Sequence, residues 1–336
     1  MRPSLVCALT TVQEPTSCVQ GLARALQERG GKLLVIGDRK GPARFDLAGA
    51  DFYPLDRQLA LPYELARLLP VGHYARKNLA YLLAIAGGAD RIYETDDDNQ
   101  PQPWWEPRER QTAVRVAPSQ QWVNVYRLFT AELIWPRGFP LDRVAEAPRF
   151  DPQSPLSQVN APIQQGLADG APDVDAIWRL VLEREVNFER RASVWLPPGT
   201  WCPFNSQNTW WWPDAFPLMY LPAYCTFRMT DIWRSFVAQR CLWELGFGLV
   251  FHAADVVQQR NAHDLMRDFK DEIPGYENNG AIVDLLADLR LGAGAPSVPD
   301  NLIRCYEALI SAGFLPEQEL RLVRTWVDHL ADLRRR

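Results

Sequence analysis

The 336-residue sequence lacks the features that mark several classes of protein. It has no uninterrupted apolar run near the roughly 18 residues that a membrane-spanning helix requires. It also has no tract of five or more basic residues, and its net charge is −5. We therefore expect neither a nucleic-acid partner nor a membrane span. With 47% hydrophobic and 23% charged residues, the composition excludes disordered, collagen-like and coiled-coil proteins.

Paired cysteines and a secretion signal are also missing. The six cysteines form no CxxC pair and stand at no zinc-finger spacing, so we expect reduced, mostly buried thiols. The first 11 residues contain too short an apolar core for a secretory signal peptide. These observations predict a cytoplasmic protein.

Strands and helices alternate over the first hundred residues. Short apolar runs predict strands at residues 4–10, 32–37 and 90–95. Apolar residues at helical spacing predict helices around residues 19–26 and 73–86. Such alternation is typical of an α/β fold with a parallel sheet.

The remainder of the chain has a different amino-acid composition and pattern. Residues 100–222 are rich in proline and tryptophan, which predicts loops that decorate the sheet. The segment at 291–299 is the best candidate for a linker, so we expect residues 300–336 to form a small helical appendage to a domain of residues 1–290. The further elements predicted are a strand at 247–251 and helices at 174–189, 231–245, 255–273, 281–289, 301–312 and 317–335.

An acidic motif is the strongest chemical signal. Residues 94–99 are Glu-Thr-Asp-Asp-Asp-Asn and follow a predicted strand directly. Three adjacent carboxylates repel one another unless a cation or water neutralises them, and carboxylate oxygens suit Mg²⁺ or Mn²⁺. Parallel sheets bind ligands at the carboxyl ends of their strands, which favours a metal site over a solvent-facing acidic turn.

A basic motif lies just upstream of the acidic one. Arg76, Lys77 and Asn78 stand at the start of the predicted helix, where backbone N–H groups favour anions. We predict that they hold a diphosphate between this helix and the metal. The alternative is a solvated helix face.

The whole block 61–99, LPYELARLLPVGHYARKNLAYLLAIAGGADRIYETDDDN, resembles the signature of the STELLO family of glycosyltransferase-like proteins. The likeness continues at residues 166–180, 226–235 and 256–273, and so covers most of residues 1–290. The aspartates and the Pro-Asp-Val-Asp-Ala element at 172–176 are similar, more distantly, to reversibly glycosylated polypeptides, the UDP-arabinopyranose mutases. The sequence shows no membrane anchor of the plant STELLO type, so we do not carry over a Golgi role.

The resemblance implies a GT-A fold: a Rossmann-like, mostly parallel sheet with flanking helices and a loop-rich acceptor region. Residues 1–100 would form the nucleotide-binding half, and residues 101–290 the acceptor and catalytic half. The implied activity is a glycosyltransferase that uses Mn²⁺ or Mg²⁺ and moves a hexose or pentose from a UDP- or GDP-sugar to an unknown hydroxyl acceptor. A sugar-nucleotide mutase and a non-catalytic scaffold remain as alternatives.

The same resemblance suggests roles on the donor side. Asp96 and Asp98 would form the Asp-x-Asp pair, with Asp98 the direct metal ligand, Asp96 nearer the ribose or sugar, and Asp97 in support. The nucleoside would lie near Thr10, Thr11 and Asp38, for which loop capping is the alternative. Arg260 would hold diphosphate charge.

On the catalytic side, the sequence leaves two choices open. Asp231 and Asp175 are both candidates for the base that accepts a proton from the acceptor hydroxyl, and both also suit a helix cap. His263 is the candidate histidine ligand for the metal, with His252 as its competitor. Three consecutive tryptophans, Trp210 to Trp212, predict an acceptor groove if exposed or core if buried, and we expect at least one to be exposed or in a turn.

Overall fold

A computed structural model describes residues 5–147, 149–260 and 264–335 of the chain. The described strands form one sheet with helices on its faces, which confirms the predicted α/β fold class. The strands are β1 Leu5–Thr10, β2 Lys32–Ile36, β3 Ala50–Tyr53, β4 Arg91–Thr95, β5 Asn99–Pro101, β6 Gln111–Val116, β7 Ser157–Asn160, β8 Ile163–Gly170, β9 Ser193–Leu196, β10 Asn208–Trp211 and β11 Leu249–Gln258. The α-helices are α1 Ser17–Glu28, α2 Leu55–Leu59, α3 Leu65–Leu68, α4 Asn78–Ala86, α5 Ala176–Leu182, α6 Thr230–Glu244, α7 Leu265–Asp288, α8 Val298–Ser311 and α9 Gln318–Arg335.

The first four strands form the parallel part of the sheet, in the order β3-β2-β1-β4. Strand β1 lies between β2 and β4, and its apolar residues are buried. Helix α1 begins after Thr16, whose hydroxyl accepts from the backbone N–H of Val19 at 3.1 Å. The carboxyl ends of β1, β2 and β4 therefore lie at one edge of the sheet.

The second part of the sheet continues β10-β8-β11-β9-β6-β7, with β5 paired to β11. Among the described strands, five pairings are parallel and five antiparallel, so the sheet is more mixed than the sequence suggests. Strands β6 to β10 all lie in the region predicted to be loops. They escape notice because their buried positions include polar residues, such as Gln164, Gln165 and Asn208, instead of apolar runs.

Three predicted helices have different bounds in the structure. Helix α5 covers seven residues of the predicted 174–189. The helix predicted at 255–273 is wrong at its start, because residues 255–258 complete strand β11 beside β8. Helix α7 begins only after Asp264, which caps it, and it continues through Pro274 to take in the helix predicted at 281–289.

The tryptophan run is buried throughout. Trp210 and Trp211 lie in β10 between β4 and β8 and are 0% exposed, and Trp212 is 7% exposed. None of the three is exposed, but Trp212 follows β10 and opens the 3₁₀ turn Pro213–Met219, where its carbonyl accepts from the Ala215 N–H at 2.8 Å. The expectation that at least one is exposed or in a turn is therefore met by its second part. Trp210 stacks on Tyr93 at a ring distance of 4.5 Å, while the Trp211 indole N–H donates to Glu94.

The C-terminal helices α8 and α9 pack into the largest hydrophobic core. Cys305, Tyr306 and Trp326 are buried there, and Glu319 accepts hydrogen bonds from the Tyr220 hydroxyl and the backbone of Ala223. Residues 1–290 and 300–336 thus contribute to one core, although the predicted domain division itself stays a prediction. All six cysteines are free thiols, as predicted. No helix among the described residues is both long and apolar enough to cross a bilayer.

Candidate active site

A cavity of about 390 Å³ opens at the edge of the sheet where β1, β2 and β4 end. Loops that follow these strands form one wall, and the start of α6 together with the end of β11 forms another. Nine residues that the sequence singled out line this cavity: Thr10, Thr11, Asp38, Arg76, Asp96, Asp97, Asp98, Asp231 and Arg260.

The acidic motif forms one wall of the cavity. Asp96 Oδ1 accepts from the Tyr74 hydroxyl at 2.8 Å and from Lys77 Nζ at 3.1 Å. Asp98 is 8% exposed, and its Oδ2 accepts from Gln258 Nε2 at 3.0 Å. The backbone of β4 and these bonds hold two carboxylates at one face of the cavity.

Burial raises the pKa of Asp96 to about 6, and the nearby Asp98 acts in the same direction while Lys77 opposes it. A second positive charge beside these carboxylates would favour their ionised forms. A cation bound beside Asp96 would therefore offset the cost that burial places on its charged form.

The loop residues expected to hold a nucleoside lie beside this wall. Thr11 donates its hydroxyl hydrogen to Asp97. The Asp38 carboxylate accepts from the backbone N–H groups of Gly72 and His73, at 2.8 and 3.1 Å. Asp38 thus joins the loop after β2 to the loop before α4. These contacts hold the loops against one another, and nucleoside binding stays a prediction.

Arginines and their carboxylate partners form the opposite part of the lining. Arg137 binds Asp173 through Nε and Nη2, at 2.9 and 2.7 Å, and binds Asp231 through Nη1 and Nη2, both at 3.0 Å. Burial alone would raise the pKa of Asp173, but the Arg137 guanidinium holds it below its usual range. Arg137 therefore holds Asp173 in its charged form and fixes the position of the Asp231 carboxylate.

Arg228 and Arg260 also line the cavity. Among the described residues, they make fewer hydrogen bonds to carboxylates than Arg137 does. Arg228 is 8% exposed; its Nε donates to Glu272 Oε1 at 2.8 Å. Among the described residues its Nη2 has no hydrogen-bond partner, and Asp173 Oδ1 lies 3.8 Å from it. Arg260 donates to the carbonyls of Ala171 and Pro172, at 3.0 and 2.8 Å. Burial and the nearby Arg179 lower the pKa of Arg260 to about 10, so it remains charged at neutral pH.

The basic motif of residues 76–78 has internal partners. Arg76 is 1% exposed and donates to Gln58 Oε1 at 2.7 Å and to the Leu69 carbonyl at 3.1 Å. Lys77 Nζ donates to the Thr95 carbonyl at 2.7 Å as well as to Asp96. The Asn78 amide exchanges two hydrogen bonds with the backbone of Leu221.

These contacts differ from the helix face that the sequence suggested. Residues 74–77 form a 3₁₀ turn, and α4 begins only at Asn78. Lys77 and Asn78 are completely buried and are not part of the described cavity lining, whereas Arg76 is. The solvated alternative is wrong, because all three side chains lie inside the protein. Their contact with a diphosphate stays a prediction.

The two candidate bases occupy different surroundings. Asp231 lines the cavity and lies in the first turn of α6 without capping it through its side chain. Asp175 caps α5, since its Oδ1 accepts from the Trp178 N–H at 2.8 Å, and Oδ2 accepts from the Trp135 indole. Burial raises the pKa of Asp175 to about 6, but its carboxylate is not part of the described lining.

Of the three residues predicted to bind a metal, Asp96 and Asp98 lie among the described residues. Asp96 and Asp98 offer the hard oxygen ligands that Mg²⁺ and Mn²⁺ take, so the donor set fits such an ion. Within residues 5–147, 149–260 and 264–335, no group of three histidine, cysteine or acidic side chains forms a complete cluster. His263 lies outside the described residues. His252 is buried in β11, bonded to Ser193 and Gln164, and does not line the cavity.

Sequence reasoning missed Arg137, Arg228 and Phe227 as parts of the cavity. Arg137 stands in an irregular segment with no pattern around it. Arg228 and Phe227 belong to the Thr-Phe-Arg-Met-Thr-Asp run that carried the family resemblance, and that run was the available signal.

The chain is thus an α/β protein with a charged cavity at the carboxyl ends of the parallel strands β1, β2 and β4, the edge at which such sheets bind ligands. Within this class, the model of the STELLO glycosyltransferases matches residues 228–336. Probable glycosyltransferase STELLO1 from Arabidopsis thaliana is 29% identical over 96% of this chain and 44% of its own length. Probable glycosyltransferase STELLO2 from the same plant is 27% identical over the same shares.

These matches confirm the resemblance to the STELLO family that the sequence motifs predict. They also extend it to the C-terminal helices. The chain spans less than half the length of these curated relatives. The crystal structure of a mycobacterial protein aligns over 94% of this chain and 76% of its own, with 10% identity and a TM-score of 0.37, which is too low to carry an inference.

Proposed function

We propose that this chain is a metal-dependent glycosyltransferase that takes a sugar from a UDP- or GDP-sugar and transfers it to a hydroxyl acceptor. The observation that carries the proposal is the pairing of an acidic wall, Asp96 to Asp98, with an arginine-containing lining, Arg228 and Arg260, around one cavity. The cavity volume of about 390 Å³ falls in the range of small-molecule sites.

The donor would lie between these two parts of the lining. Its diphosphate carries negative charge, which the acidic wall repels unless a divalent ion stands between them. Asp98 and Asp96 would hold this Mn²⁺ or Mg²⁺, and the ion when bound would neutralise charge on the departing diphosphate. Arg228 and Arg260 supply fixed positive charge, and Arg228 Nη2, which makes no hydrogen bond within the described residues although it lies 3.8 Å from Asp173 Oδ1, supplies a hydrogen-bond donor.

Asp231 is the base in this proposal. Its carboxylate lines the cavity, and a bidentate contact with Arg137 fixes its orientation. It would accept the proton of the acceptor hydroxyl while the sugar is transferred. Asp175 would serve only as the cap of α5. The cytoplasmic location expected from the sequence stays a prediction.

Incubation of the protein with UDP- and GDP-sugars and Mn²⁺, followed by mass spectrometry, tests the proposal. Release of the nucleoside diphosphate together with a glycosylated acceptor is the expected result. A changed ring form with donor alone would instead identify a sugar-nucleotide mutase. Nucleotide binding with no turnover of any donor would contradict the enzymatic role and favour a scaffold.

A further inference from the structure

An exposed aromatic ring lies at the cavity and has no role in the donor site described above. Phe227 lines the cavity, yet 53% of its surface is exposed. The rings of Trp210, Trp211 and Trp212, which the sequence offered for sugar contact, are buried instead. Tyr74 also lines the cavity but is partly buried, so Phe227 is the more exposed aromatic face in the described lining.

The chain around Phe227 is held firmly. On one side, the Thr226 hydroxyl donates to the Asp271 carbonyl, and on the other, Arg228 Nε donates to Glu272. Phe227 itself begins a 3₁₀ turn that leads directly into α6. An exposed ring on a fixed backbone loses little conformational entropy when a ligand covers it.

Contacts with the cavity wall also fix the ring. Tyr74 meets Phe227 edge to face, with 5.6 Å between ring centroids and 72° between planes. The Tyr74 hydroxyl donates to Asp96 and contacts the Ser206 hydroxyl, and Ser206 N–H donates to Asp231 Oδ2 at 3.3 Å. One set of contacts therefore joins the ring to a carboxylate of the acidic wall and to the proposed base.

We infer that Phe227 is the stacking surface for a pyranose ring, so that the acceptor is itself a carbohydrate. This inference rests on the proposed function. A pyranose has an apolar C–H face that packs on an aromatic ring. The hydroxyls at its edge donate hydrogen bonds to a carboxylate such as Asp231. Phe227 and Asp231 line the same cavity and supply this pair of surfaces. A small aliphatic hydroxyl acceptor offers no flat face for the ring.

Saturation-transfer NMR with the methyl pyranosides of glucose, galactose and mannose tests the inference on protein saturated with UDP and Mn²⁺. We expect at least one pyranoside to bind, with the strongest transfer to protons of one ring face. Phe227→Leu keeps an apolar side chain but removes the flat ring, and should weaken this binding about 3- to 10-fold, as for loss of one aromatic contact. Phe227→Trp should restore it.

Tyr224→Leu is the matched control, since Tyr224 is an exposed aromatic residue on the same loop that is not part of the described cavity lining. It should leave pyranoside binding unchanged, and all three variants should bind UDP normally. If UDP binds normally but no pyranoside binds, or if Phe227→Leu binds the pyranoside as well as the wild type does, the inference is overturned while the proposed function stands. If Phe227→Leu weakens UDP-glucose relative to UDP, the ring contacts the transferred sugar and the acceptor assignment is wrong. If UDP does not bind, GDP takes its place in the experiment; failure of the wild type to bind either nucleotide would remove the proposed function, and this inference with it.

Discussion

Replacing Asp231 with asparagine separates the proposed chemical role of this residue from its structural one. Asparagine keeps the size of the side chain and one of its oxygens but cannot accept a proton at neutral pH. Because Asp231 makes no side-chain cap on α6, the change does not remove a helix cap. It removes one charged acceptor from the bidentate contact with Arg137.

The contacts of Asp231 set the loss of stability that we expect from Asp231→Asn. A hydrogen bond to a charged group contributes about 1.5–3 kcal/mol, and Asp231→Asn should lower the free energy of unfolding by about this amount. Removing the only partner of a buried charge lowers the free energy of unfolding by about 3–5 kcal/mol. The loss here should be smaller, since Arg137 keeps both hydrogen bonds to Asp173. Transfer to the acceptor should fall by the ~10²- to 10⁴-fold typical of losing a general base, with UDP affinity unchanged.

Urea unfolding, UDP calorimetry and the transfer assay together check this prediction. Asp175→Asn is the matched control, because it also alters a buried carboxylate but leaves the cavity lining intact. Its cap should survive, since asparagine caps helices as well as aspartate does. Transfer that persists in Asp231→Asn and collapses in Asp175→Asn would reverse the assignment. Persistence in both would refute a base on either helix.

Two further predictions concern buried charge. Arg234→Met should destabilise the protein by about 3–5 kcal/mol in urea unfolding, because Glu94, which is 0% exposed and 2.8 Å from Arg234, loses its cation. Adding Glu94→Gln should recover part of this loss. If the double variant is as unstable as Arg234→Met alone, the loss does not come from the pair. Because Arg137 holds the pKa of Asp173 below its usual 3.8, this pair should stabilise the protein above about pH 4, a contribution that is lost as pH falls further. Unfolding measured from pH 7 to pH 3 should show this loss, and an equal loss in Asp173→Asn would contradict it.

The sequence predicted the local part of the fold. Strands β1, β2 and β4 and helices α1, α6, α8 and α9 lie close to their predicted positions, because their apolar residues recur at strand or helix spacing. Strand β8 could not be recognised in this way, since its buried glutamines are satisfied by partners distant in sequence, such as the Arg110 and Asn208 carbonyls. The expectation of loops there followed from local composition alone.

The candidate site also contains residues that the local sequence predicts and residues that it does not. Asp96 to Asp98 are recognisable because strand and acidic run are adjacent in sequence. Arg137 joins Asp173 and Asp231, residues 36 and 94 positions away, and such a contact leaves no local pattern. The inward direction of Lys77 likewise depends on the Thr95 carbonyl at the end of a neighbouring strand.

Calorimetry of UDP and GDP in Mn²⁺ and in EDTA tests the central claim most directly, namely that the acidic wall binds a nucleoside diphosphate through a divalent ion. At least one nucleotide should bind the wild type in Mn²⁺ and not in EDTA. Asp98→Ala should abolish binding, because one of the two proposed carboxylate ligands is lost, whereas Asp142→Asn, an exposed control that is not in the described lining, should have no effect. Equal affinity in EDTA and Mn²⁺, or unchanged affinity in Asp98→Ala, would contradict the account.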